Sequence, residues 1–313
     1  MLGKTAGGIY WMFRLLERSE NTARLVEAGF RIALTRSQDA VSEWESVITT
    51  AGLKKSYAVK HDNYNAASIV DFLLRDSSNP SSVISTIENA RTNARMVRTA
   101  LTTEVWEAVN EGWMALETAL KQPVKETELP AVLGIIRRNC ALVRGAMYGT
   151  MLRNDIFDFA VLGIALERAD NTARILNVKY PTLPPSADFV GSSLDNIHWE
   201  TVLRSVSGHR SFGWVNDNEM TASSIAEYLI LDSRFPRSLK FCYSTLTQNL
   251  VNLSESYGKR EECHIKMNKV STQLENNDIH SIFNYGLHHF INDFIKETNE
   301  LSLQIEIDYR FYN

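Results

Sequence analysis

Proline and glycine are scarce, 7 and 15 among 313 residues. So few chain breakers exclude a loop-rich or fibrous protein and leave long stretches free to run as helix. Cysteine is scarcer still: Cys140, Cys242 and Cys263 lie far apart, with no C-x-x-C pair. That excludes a disulfide-stapled scaffold and fits a reduced, cytoplasmic protein with inert thiols. An excess of one charge is also missing. With 33 Lys+Arg against 37 Asp+Glu the net is −4, so no global field draws the chain to nucleic acid or to an anionic membrane. No apolar run reaches membrane-spanning length, and the early one, Ile9 to Phe13, stops at Arg14. A Walker loop, a Rossmann glycine pattern and a G-x-S-x-G elbow are all absent, so the sequence points to no cofactor and no serine nucleophile.

What is present is helical periodicity, with 44% apolar residues to build a large core. About a dozen helices are expected at ordinary helix lengths. The first spans about Gly8 to the mid-30s. Ser42-Glu43-Trp44-Glu45 has capping-box spacing and opens a second. A third covers about Ala66 to Arg75. In "SSNPSS" Asn79 can cap the next helix and Pro80 fits its first turn. "TTEVW" starts another, and two long ones follow at about Pro130 to Leu152 and Asp155 to Lys179. The segment "YPTLPPSADFVGSS" cannot continue a helix and reads as a linker. Two or three long helices close the chain. The expected architecture is all-α, a multi-helix bundle of two related helical halves, 1–179 and 180–313, packed as one globular unit.

The two halves are suggested by echoes. "LERSENTAR" (Leu16–Arg24) returns 150 residues later as "LERADNTAR" (Leu166–Arg174). "AASIVDFLLRDSSNPSS" (Ala66–Ser82) returns, offset by 156, as "ASSIAEYLILDSRFPRS" (Ala222–Ser238). On a helix Glu17, Asn21 and Arg24 share one face at i, i+4, i+7, and Tyr10 and Arg14 extend it. Glu167, Asn171 and Arg174 form the matching stripe, with Ile164 where Arg14 stands. Arg18 and Arg168 lie beside the stripes. Every basic residue in these phrases is Arg, the side chain suited to a partly buried carboxylate. The two helices should therefore meet near the middle of the molecule, with Glu17 and Glu167 paired to arginines of facing helices. Candidates are Arg144 and the stripe Arg91, Arg95 and Arg98. Such a network can serve helix register alone, or line a cavity whose spare donors hold a carboxylate, a phosphate or a peptide end.

Other constellations are thinner. Glu261-Glu262-Cys263-His264 gives one Glu-x-x-His but no second, so a di-iron site is incomplete. His61-Asp62 is a lone dipeptide in a polar stretch, and His280 and His288 share a helix face. Gly7-Gly8 could receive an anion at the start of the first helix. Trp11, Trp44, Trp106 and Trp113 read as core or groove residues.

Four ordered motifs, "GGIYWMFRLLERSENTAR", "NPSSVISTIENARTNARMVR" followed by "EVWEAVN", "LERADNTARIL" and "EYLILDSRFPRS", together resemble the bacterial alpha-E family over nearly the whole chain. Asn177 stands where that likeness leads one to expect Asp. The resemblance implies an all-helical protein that accompanies circularly permuted ATP-grasp ligases and transglutaminase-like cysteine peptidases, in ATP-dependent peptide or amide-bond formation. Its signature falls on Arg14, Glu17, Arg18, Asn21, Arg24, Arg91, Asn93, Arg95, Arg98, Glu167, Arg168, Asn171 and Arg174. Three functions compete: a non-catalytic partner of such a ligase with a peptide- or acid-binding surface; an amide-forming or acyl-transferring subunit using Glu17 or Glu167 as general base; and a metal-dependent helical hydrolase using His61, Asp62, His264 or the His280/His288 pair.

Overall fold

The structure, a computed structural model, describes residues 1–35, 40–178, 193–216 and 220–312. Among them are fifteen α-helices and no strand. The expected linker and the boundary after residue 179 fall largely among residues 179–192, outside the described part.

Helix α1 (Gly3–Thr35) and helix α8 (Asp155–Val178) form the centre. They run side by side in the same sense, with residues near 163 against Tyr10 and Arg14, and residues 167–168 against 17–18. Gly163 permits this approach, since a Cβ there would lie 2.4 Å from the Tyr10 carbonyl oxygen. The apolar residues of α1 and α8 point away from the shared polar strip into surrounding helices, and Ile9, Met12, Phe13, Phe159, Leu162 and Leu166 are all buried. Helix α8 is so evenly enclosed that it shows no single apolar face, as expected of a central helix.

Around α1 stand α2 (Ala40–Thr50), α4 (Ala66–Leu74), α5 (Val83–Met96) and α7 (Leu129–Thr150). Helix α6 (Thr103–Ala119) joins α5 and α7, and the short α3 (Lys54–Ala58) follows α2. Around α8 the order runs in parallel. Helices α9 (Ser193–Ser205), α10 (His209–Val215), α11 (Ala222–Leu231), α12 (Leu239–Tyr257), α13 (Glu262–Asn276) and α15 (Leu287–Asp308) follow, with the short α14 (Ile279–Tyr285) between the last two. Helix α8 packs on α12 and α15 as α1 packs on α5 and α7. The echoed residues hold matching positions. Ser82 caps α5 by accepting from Ser85 N, and Ser238 caps α12 by accepting from Phe241 N. Asp76 Oδ1 accepts from Ser78 N, and Asp232 Oδ1 from Arg234 N, closing the preceding turn in both places.

Three local expectations change. Asn79 does not cap α5. Its Nδ2 donates to the Phe72 carbonyl and its Oδ1 accepts from Ser81 N, so it closes the turn and leaves the cap to Ser82. Gly7 and Gly8 lie inside α1 rather than before it. A Cβ on Gly8 would meet Val97 Cγ1 at 2.4 Å and one on Gly7 would meet Phe311 at 2.9 Å, so both serve close packing and not anion capture. Helix α2 begins at Ala40, two residues before Ser42.

Candidate functional site

Each Glu-Arg dipeptide of the repeated phrase grips the other. Arg18 Nε and Nη2 donate to Glu167 Oε1 and Oε2 at 2.6 and 2.9 Å. Arg168 Nε and Nη2 donate to Glu17 Oε1 and Oε2 at 2.9 and 3.2 Å. The result is a reciprocal pair of bidentate forks, the geometry for which Arg is chosen over Lys. A second guanidinium reaches each carboxylate from elsewhere: Arg14 Nε donates to Glu167 at 2.8 Å, and Arg144 Nη1 to Glu17 at 3.1 Å. Helix-internal pairs continue both stripes, Arg24 with Glu20 and Arg174 with Asp170.

Glu17, Glu20 and Glu167 are 2%, 1% and 5% exposed, so their charges must be answered by protein. Burial alone would raise the pKa of Glu17. Arg168, Arg237 and Arg144 overcome it and hold the carboxyl well below its ordinary value. Glu167 is likewise raised by burial, but Arg18 and Arg14 bring it down to about 2. For Glu20, burial and Glu17 push upward while Arg237, Arg144 and Arg24 prevail downward. All three are therefore ionised near neutrality and weakly basic.

Of the residues singled out in the sequence, Arg14, Glu17, Arg18, Asn21, Arg24, Arg144, Glu167, Arg168, Asn171 and Arg174 gather at the α1/α8 strip. The α5 stripe does not. Arg91 lies 3.9 Å over the Trp113 ring and donates to Asn110 Oδ1, Arg98 lies 5.1 Å over Trp106, and Arg95 is exposed. Arg91 and Arg98 lie against α6 aromatics, Arg95 faces solvent, and no carboxylate of the central strip is among their partners. Asn93 is half-buried on the same helix.

Two members were missed by the sequence reading. Glu20 is the most enclosed carboxylate of the group. Arg237, 6% exposed, donates to Asn21 Oδ1 at 2.8 Å and lies 2.8 and 3.2 Å from Glu17 and Glu20. A signal for Arg237 existed: it is the residue before the α12 cap in the second echo, where the first echo has Ser81.

A cavity of about 250 Å³ opens on one side of the strip. It is lined by Arg18, Asn21, Thr22 and Leu25 of α1, by Glu167, Asp170, Asn171 and Arg174 of α8, by the turn 50–53 and by Ser81. Gly52 makes that turn with φ of 72°, and a Cβ there would sit 3.0 Å from Arg174 Nη1. Asn21 Nδ2 is buried and has no hydrogen-bond partner.

The histidine candidates do not converge. His264 is buried as the third residue of α13, its Nδ1 accepting from Glu261 N and its Nε2 3.0 Å from the Leu250 carbonyl. His61 stacks on Tyr57, His280 is exposed, and His288 bonds Asn292. Among the described residues no three His, Cys, Asp or Glu side chains are grouped to hold a metal ion. Burial pushes the Cys140 and Cys242 thiols up to about 12, so neither is a ready nucleophile. No helix among the described residues is long and apolar enough to cross a membrane.

Residues 1–309 match the model of a family named Alpha-E, described as a predicted alpha-helical domain with a conserved ER motif. The chain belongs to that family, and its Glu-Arg dipeptides are the reciprocal forks described above. No curated protein and no solved structure is detectably similar to it.

Proposed function

We propose that this Alpha-E protein is a non-catalytic helical partner of a circularly permuted ATP-grasp ligase in bacterial peptide or amide-bond-forming modification, and that its central Glu/Arg site takes a carboxylate or phosphate group. A transglutaminase-like peptidase is a second expected partner. The observation that carries the reading is the state of the central carboxylates. Glu17, Glu20 and Glu167 are ionised and clamped by guanidiniums, so none is poised to take a proton, while guanidinium N–H groups remain for an acid. The same state counts against the amide-forming or acyl-transfer reading, which needs Glu17 or Glu167 as a general base with a raised pKa. The scattered histidines count against a metal-dependent hydrolase. The three buried, unpaired cysteines support a reducing compartment, the cytoplasm.

The test is association. The full chain, tagged and mixed at micromolar concentration with a circularly permuted ATP-grasp ligase of the same organism, should co-elute in gel filtration, and the ligase should lose turnover without it. Separate elution together with unaltered ligase turnover would defeat the proposal. A second reading, in which the network serves only the register of α1 against α8, is favoured by the reciprocity of the forks. It predicts that charge-conserving changes alter stability and leave ligase turnover untouched.

A further inference from the structure

The two sides of the α1/α8 strip differ most plainly in one inserted guanidinium. On one side Arg237 inserts its guanidinium among Glu17, Glu20 and Asn21. Shifted by the repeat offset, those three residues become Glu167, Asp170 and Asn171, and all three line the cavity. The position just before the helix cap is Arg237 there and Ser81 here, and Ser81 lines the cavity too. The neighbouring turns also correspond. Gly52 and Ser207 each end a helix with positive φ, 72° and 56°, Gly52 beside Arg174 and Ser207 accepting a hydrogen bond from Arg24. The cavity is thus the space that Arg237 fills on the other side, left open because a serine replaces it.

Charge does not forbid a cation here. Without Arg237, Glu17 and Glu20 meet three guanidiniums, Arg168, Arg144 and Arg24. Glu167 and Asp170 also meet three, Arg14, Arg18 and Arg174. The first set accommodates a fourth cation, so the second has the same capacity. A bare cation would nevertheless leave donors unanswered. Arg18 and Arg174, part-exposed, each commit Nε and Nη2 to their carboxylates, and among the described residues no bond is made by either Nη1. The Asn21 amide is fixed by its Oδ1 bond to Arg237, which leaves its buried Nδ2 a donor lacking an acceptor. One buried donor without an acceptor and two part-exposed guanidinium N–H groups therefore stand beside a vacancy for an ammonium or guanidinium. Leu25, Ala51 and Leu53 supply a short apolar wall.

From this juxtaposition we propose that the cavity is a binding site for a free α-amino acid with a small aliphatic side chain. The ammonium occupies the place of the Arg237 guanidinium, against Asp170, Glu167 and Asn171. The carboxylate takes Asn21 Nδ2 and the Nη1 groups of Arg18 and Arg174. A zwitterion leaves the local net charge unchanged and satisfies both sets, which neither a simple acid nor a simple amine does. The proposal rests on reading the central site as ligand-binding, and is independent of the ligase partnership.

The test is isothermal titration of the full chain with L-alanine and L-valine, beside 3-methylbutanoate (valine without its amine), isobutylamine (valine without its carboxylate) and inorganic phosphate. At least one amino acid should bind about tenfold or more tighter than any of the other three, since losing the carboxylate leaves the buried Asn21 Nδ2 unanswered and losing the ammonium sets an unbalanced anion beside Glu167 and Asp170. Ser81→Arg, which rebuilds the filled side in the open one, should abolish binding without lowering Tm. Asn171→Ala should weaken it about tenfold and serves if the first variant fails to fold. Equal binding of phosphate or 3-methylbutanoate would overturn the zwitterion and keep an anion site. Binding by none would overturn both site readings and leave the ligase partnership standing. Wild-type affinity in both variants would remove the ligand from this cavity.

Discussion

Two stripes with the same i, i+4, i+7 spacing, Glu17, Asn21 and Arg24 on one side and Arg91, Arg95 and Arg98 on the other, meet opposite fates. On α1, Arg14, Arg18 and Arg24 turn inward onto carboxylates, whereas Arg91 and Arg95 of α5 and Arg98 of the turn after it face outward. Spacing alone does not separate them. The difference lies in what accompanies the arginines. The α1 stripe carries Glu17 and Glu20 among them and meets a second helix with the same composition, so each buried charge finds its opposite across the interface. The α5 stripe has only the exposed Glu88 and faces α6, which offers Trp106 and Trp113. Guanidiniums there lie over rings at the rim, where desolvation is slight. A buried charge network requires charges of both signs placed in register on two elements, and the repeated phrase is what supplies that register.

The sharpest way to break this contrast is to remove one charge on each side of it. Glu17→Gln leaves Arg168, Arg144 and Arg237 with one carboxylate fewer in a buried site and should cost about 3–5 kcal/mol. Glu88→Gln on α5 should stay within about 0.5 kcal/mol. Urea unfolding of the two variants checks the difference. Similar losses would show that the central strip is hydrated.

Acid should expose the same asymmetry. Glu167 is lowered from 4.5 to about 2 on folding. Its contribution is therefore complete above the unfolded value and disappears as pH falls through the folded one. Roughly 3 kcal/mol should be lost between pH 4.5 and 2 from this group. Tm recorded down that range should fall steeply in the native chain, and the fall should flatten in Glu167→Gln, which has no proton to take up. An unchanged profile would contradict the low folded pKa.

The smallest effect belongs to the outer stripe. Arg98→Ala removes an exposed cation from above Trp106 and should cost about 0.5–1 kcal/mol, read as a small drop in Tm. A loss comparable to that of Glu17→Gln would place α5 in the network after all.

The legible part of the molecule was the part written periodically. The long helices follow from apolar spacing, and the meeting of Glu17 and Glu167 with arginines follows from two copies of one phrase. Arg144 is a candidate partner by sequence, and of the three α7 arginines, Arg137, Arg138 and Arg144, it is the one that reaches Glu17. The α5 arginines were misassigned because spacing reports a shared face without saying where that face points. Arg237 and Glu20 were missed for related reasons. Glu20 falls three residues from Glu17, off the i, i+4, i+7 reading. Arg237 belongs to a turn, where no helical period applies and only the tertiary fold brings it beneath Asn21. The cavity could not be read at all, since it depends on a serine taking the place of an arginine at a position defined only by the helix cap behind it.

Arg168 and Glu17, joined in one fork, are 151 positions apart in the chain. During synthesis α1 therefore emerges long before α8. At about 5–20 residues per second the delay is roughly 8–30 s, during which Glu17 and Glu20 have no partner from α8 or from the turn before α12. The N-terminal segment has only Arg24 and Arg144 to answer these carboxylates until the second copy leaves the ribosome. Closure of the molecule then comes late and all at once, which makes it a step at which chaperones or proteases can intervene.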